Sequence, residues 1–112
     1  MENLYVNFIK KIFAENADIN NAVPMAKYMK KHFEFLGIKS PERKEIGRLV
    51  FKQYGLPEKN ELKYIITQLW QLPQREYQYF AQEMLKKIKK ADKELIKLFE
   101  YMITTKSWWD TV

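Results

Sequence analysis

Apolar residues recur along this chain in steps of three and four, beginning with Leu4, Tyr5, Phe8, Ile9, Ile12 and Phe13. That spacing puts them on one face of an α-helix, a face that needs a partner surface. A second helix is expected in "NNAVPMAKYMKKHF", capped by Asn20 or Asn21, with Pro24 in its first turn, Met25 and Met29 packed one turn apart, and an end near Lys31. Gly37 then allows a reversal. Ser40 as N-cap, Pro41 at the first helical position and Glu42 near the positive end of the helix dipole predict a third helix to about Tyr54. Its apolar side is Ile46, Leu49, Val50 and Tyr54, and Gly55 and Pro57 stop it. A fourth helix, from about Glu61 to Gln71, carries Leu62, Ile65, Ile66, Leu69 and a core Trp70 before Pro73. The fifth turns Tyr77, Phe80, Ala81, Met84, Leu85 and Ile88 inward. Asp92 caps a sixth with Leu95, Ile96, Phe99, Met102 and Ile103, and Ser107 opens a seventh. No run alternates in the manner of a strand, so the fold expected is all-α.

Short amphipathic helices with brief connections form either a bundle or a stack of helix pairs. Repeats of the HEAT kind take ~40–47 residues per unit, so 112 residues hold about three antiparallel pairs. The expected architecture is a HEAT-like helical-repeat solenoid, an α-α superhelix. The last eight residues, "TKSWWDTV", do not look like the polar cap that closes such a stack. Each of Trp108 and Trp109 would remove about 200 Å² from water if more chain followed. The expectation is therefore that residues 1–112 are the N-terminal part of a single domain truncated at its C-terminal end, with a cut surface prone to self-association.

Composition narrows the chemistry. There is no cysteine and one histidine, His32, so a metal cluster is improbable and no cofactor is expected. No apolar run approaches the ~18 residues of a membrane span, and the start lacks a signal-peptide pattern, so the expected location is cytoplasmic. The net charge of +6 is uneven: residues 25–60 hold +5 and residues 86–106 hold +4, the remainder being slightly acidic. Such clustering suits a polyanionic partner, although lysines also solvate outer helix faces. Lys27, Lys30, Lys31, Arg43 and Lys44 are the candidate phosphate contacts, with solvation as the alternative. Glu76 and Glu83 are expected to pair with Arg75 or Lys87, not to perform acid–base work.

Three stretches in order, "PMAKYMKKHFEFLGIKSPERK" (24–44), "LWQLPQREYQYFA" (69–81) and "TKSWWDTV" (105–112), resemble the AlkD-like DNA alkylation repair family of HEAT-like-repeat alkylpurine DNA glycosylases. The resemblance implies a curved solenoid whose basic concave face holds double-stranded DNA containing alkylated purines. It implies hydrolysis of the N-glycosidic bond of cationic N3- or N7-alkylated purines, whose positive charge already weakens that bond. It places Trp109 at the lesion cleft and Tyr28 near the DNA backbone. The family's catalytic aspartate would come directly after Val112, so no catalytic residue is assigned within the chain; Asp110 is read as a first-turn dipole partner with Ser107. The alternative is a non-catalytic helical-repeat module that binds DNA or protein.

Overall fold

A computed structural model describes residues 3–30, 32–87, 97, 100–102 and 104–105. Within them are five helices: α1 (Leu4–Glu15), α2 (Ile19–Tyr28), α3 (Ser40–Tyr54), α4 (Lys59–Gln71) and α5 (Arg75–Lys87). No strand occurs among these residues; one isolated backbone bridge joins Glu34 to Gln74. The all-helical fold predicted from periodicity is the one observed. The expected sixth helix and the Trp108–Trp109 pair lie largely outside the described residues, within which Lys97, Glu100, Tyr101, Met102 and Thr104 are helical.

Two of the helices, α1 and α2, start where a side chain satisfies an orphan amide, whereas α3 and α4 start without a side-chain cap bond. Asn3 accepts from the Val6 amide at 3.1 Å to open α1. Asp18 does the same for α2, accepting from Asn20 at 2.9 Å. The expected cap at Asn20 or Asn21 is thus displaced to an acid that matches the helix dipole as well as the amide. As a result Pro24 falls in the sixth position of α2, not in its first turn, and has no N–H to give the Asn20 carbonyl. The helix ends at Tyr28, a turn earlier than predicted. In α3, Lys39 is the cap, without a side-chain bond, and Ser40 is already helical.

Backbone packing joins α4 to α5, α1 to both α3 and α4, and α3 to α5. Among the described residues the backbone of α2 makes no close approach to the other four helices, although its Ala22 is buried. The core is built from the predicted stripes, with Ile9, Phe13, Val50, Ile65, Ile66, Leu69, Phe80 and Met84 fully enclosed. Phe13 is held between Tyr77, stacked at 4.9 Å, and Phe80, edge-on at 5.4 Å. Each such side chain contributes about 1.5–3 kcal/mol by leaving water. Leu4, expected in the first stripe, is 78% exposed, and Leu49 and Tyr54, expected on the apolar side of the third helix, are exposed too. Trp70 is core as expected, and its indole N–H donates to the Thr105 carbonyl at 2.7 Å.

The α4–α5 corner is closed by Gln78. Its amide nitrogen donates to the carbonyls of Leu69 and Leu72 at 3.0 and 2.9 Å, tying the end of α4 down before Pro73.

Candidate functional site

The segment between α2 and α3 positions the site. Leu36, Gly37 and Ile38 turn three consecutive amides toward the Glu76 carboxylate, which accepts all of them at 2.9–3.2 Å. Such a row of N–H groups is an anion nest, here filled by the protein's own acid. Glu76 also sits in the first turn of α5, where the helix dipole favours its charge. Gly37 is required twice over. Its φ of +96° disfavours any side chain, and a Cβ there would lie 1.9 Å from the Asp18 carbonyl oxygen. The same segment ties down α2, since Asp18 N–H donates to the Leu36 carbonyl at 2.8 Å and Asn21 donates to that of Gly37.

Beside this clasp, cations and aromatic rings alternate. The Arg75 guanidinium, completely buried, lies 3.8 Å from the Phe33 ring centroid and 5.8 Å from that of Tyr79. Arg43 stands 4.8 Å over the Tyr79 ring and forms a 3.0 Å ion pair with Glu83. Desolvated cation–ring contacts of this kind are worth about 2 kcal/mol. The expected partnerships of the two glutamates are therefore corrected: Glu83 takes Arg43, from the helix facing it, and Glu76 takes backbone amides. Close by, burial together with the charge of Glu76 pushes the Tyr77 hydroxyl up to about 12.

In front of Tyr79 opens a groove of about 330 Å³. One face of α2 forms its near wall through Asn21, Pro24, Met25 and Tyr28, a one-sided spacing of three and four residues. Met29, Phe35 and Tyr79 also line the groove, and Lys39 is the cation among its described lining residues. Of these, Tyr28 is 73% exposed while Met29 is buried. No carboxylate is among its described lining residues.

The structure places the residues singled out from the sequence unevenly about this groove. Tyr28 lines it, and Lys27 and Lys30 are exposed at the same end of α2. Lys44 is exposed on the first turns of α3. Arg43 is turned inward to Glu83 and Tyr79. Lys31 and Trp109 lie outside the described residues. Sequence reasoning misses Lys39, Tyr79 and Arg75. The alternation of Arg, Tyr and Phe in "REYQYF" is a legible signal, but the amphipathic stripe of α5 accounts for the same residues.

Among the described residues no cluster of histidine and acidic side chains could hold a metal ion, and no helix is long and apolar enough to cross a membrane. The family model for the DNA alkylation repair enzyme matches residues 9–112. The chain is also similar to a solved structure of a predicted DNA alkylation repair enzyme from Enterococcus faecalis, at 31% identity and a TM-score of 0.74. That similarity covers 85% of this chain and 45% of the other, so the chain spans about half the length of the protein it matches. No curated protein matches it.

Proposed function

The chain belongs to the DNA alkylation repair enzyme family, and on that footing we propose that it is the DNA-gripping N-terminal part of an alkylpurine DNA glycosylase. The substrate is duplex DNA carrying N3- or N7-alkylated purines. The observation that carries this reading is the family match over residues 9–112, to which the groove adds a fitting surface. Exposed lysines beside an aromatic lip suit a sugar–phosphate strand: the cations neutralise phosphates, and the rings offer faces to bases or sugars.

The reaction asks little of the protein. A purine alkylated at N3 or N7 leaves as a neutral base, so it needs no protonation, and the developing oxocarbenium charge on the sugar needs a nearby carboxylate and electron-rich rings. The described lining of the groove offers rings without a carboxylate, and Glu76 and Glu83 are engaged with amides and with Arg43. We assign the catalytic carboxylate to the position after Val112, with Trp109 at the lesion.

The engagement of both acids also suits a second reading, a helical module that binds DNA without chemistry. The two separate in one assay: chromatographic release of 3- or 7-methylpurine from methylated duplex DNA. A longer form of the protein, reaching the length of the matched Enterococcus enzyme, is expected to release the base, while the 112-residue chain binds and does not. Release by the 112-residue chain would relocate the catalytic group, and release by neither would leave the binding module.

A further inference from the structure

We infer that Glu76 is a positioning residue for DNA contact: without reaching the DNA, its carboxylate holds the walls of the groove in their places relative to one another. This rests on DNA being the partner proposed above. Glu76 is fully buried and is not among the described lining residues of the groove, so it acts through the groups it holds. Those groups lead to every wall. Leu36, Gly37 and Ile38 donate their amides to its two oxygens at 2.9–3.2 Å, and this run is flanked by Phe35 and Lys39, both lining residues. The first turn of α2 lies directly on the same run, for a Cβ at Gly37 would stand 1.9 Å from the Asp18 carbonyl oxygen and 2.9 Å from the Ala22 nitrogen. Two bonds fix that approach: the Asp18 N–H donates to the Leu36 carbonyl at 2.8 Å, and the Asn21 side-chain amide donates to that of Gly37 at 3.3 Å. From there α2 carries Asn21, Pro24, Met25 and Tyr28 along the groove. The last wall, Tyr79, stands one turn after Glu76 on α5.

A buried carboxylate is an expensive anchor for a loop, since its desolvation must be offset by donors. Beside a surface that meets a polyanion its charge is also repulsive. A neutral anchor would avoid both penalties. What the charge adds is placement: charge-assisted bonds to three successive amides fix the direction of the loop as well as its distance from α5. That placement decides where Lys39 stands relative to Lys27 and Lys30, which are exposed at the far end of α2. With it lost, cations carried by the loop and by the helix no longer meet phosphates of one duplex together.

The test is binding of a fully paired DNA duplex by the 112-residue chain, followed by fluorescence anisotropy at several salt concentrations. Glu76→Gln removes a negative charge, so a purely electrostatic effect would tighten binding. Positioning gives the opposite sign. The folded variant is expected to lose about 0.9 in the slope of log affinity against log salt for each phosphate contact unseated, which at ~0.1 M salt is about 8-fold in affinity. Glu42→Gln, which removes the same charge from an exposed position in α3, is expected to bind no more weakly than the unaltered chain. If circular dichroism shows Glu76→Gln to be unfolded, Asn21→Ala, which releases the bond to Gly37, is read in its place. Loss of a neutral direct contact weakens binding at constant slope, whereas a displaced wall lowers the slope. An unchanged slope in the variant that is read, or an equal loss in Glu42→Gln, would overturn the positioning role alone. Failure of the unaltered chain to bind the duplex would overturn it together with the proposed DNA partner.

Discussion

Glu76 shows how much one side chain can organise. Three backbone amides of a loop converge on it from about 40 residues earlier in the chain, and hydrogen bonds to a charged acceptor are worth about 1.5–3 kcal/mol each when buried. Glu76→Gln keeps the shape but turns an NH2 toward donors. It is expected to cost about 2 kcal/mol or more, read as a lower urea midpoint at unchanged slope. Two buried phenols add a pH dependence. The Tyr5 hydroxyl, desolvated and donating to the Gly55 carbonyl at 2.7 Å, and that of Tyr77 are both raised from 10.0 to about 12. Below pH 10.0 both folded and unfolded chains keep these protons; between there and about 12 only the unfolded chain loses them, so stability falls as pH rises through that window. Thermal melts across this range should show the loss, and the Tyr5→Phe, Tyr77→Phe double variant should lose less. None of this is legible locally. Glu76 stands beside Arg75 in the sequence, and an ion pair is the natural reading until the fold brings Leu36 to Ile38 against it.

The helices themselves are largely legible, because their apolar stripes are also their buried faces: Leu62, Ile65, Ile66, Leu69 and Trp70 of α4 are all enclosed. Their ends are less so. Several polar residues compete for each cap, and in α2 the choice falls on Asp18, since its backbone is already fixed by the bond to Leu36. The far end of α2 carries an avoidable strain. Lys30 follows the helix with φ of +55°, the left-handed position at which glycine is favoured. Lys30→Gly is expected to stabilise the protein by about 1 kcal/mol and to raise the melting temperature by several degrees, while removing one cation from the groove's rim. A fall in melting temperature would mean that the lysine side chain contributes more than the strain it imposes.

On the scale of the whole molecule, charge matters through where it is exposed. In the sequence the lysine-rich stretch reads as one surface, but the fold divides it: Lys27, Lys30 and Lys44 face solvent, whereas Arg43 is folded inward. Removing any of the three lysines should lower the slope of log affinity against log salt by about 0.9 for each phosphate left without its cation. Arg43→Gln should act through stability and leave that slope unchanged. Titrations of duplex binding at several salt concentrations separate the two kinds of residue. The groove is invisible in the sequence for a related reason: its two walls, α2 and α5, are distant in the chain and meet only across the clasp.

That clasp has a kinetic corollary. With α2 tied to its surroundings through the Asp18–Leu36 and Asn21–Gly37 bonds and its backbone close to no other described helix, its amides should exchange with deuterated solvent by local breathing, well ahead of those in α4 and α5. A ligand lodged in front of Tyr79 would dampen that breathing, so protection gained in α2 would register occupancy from a distance.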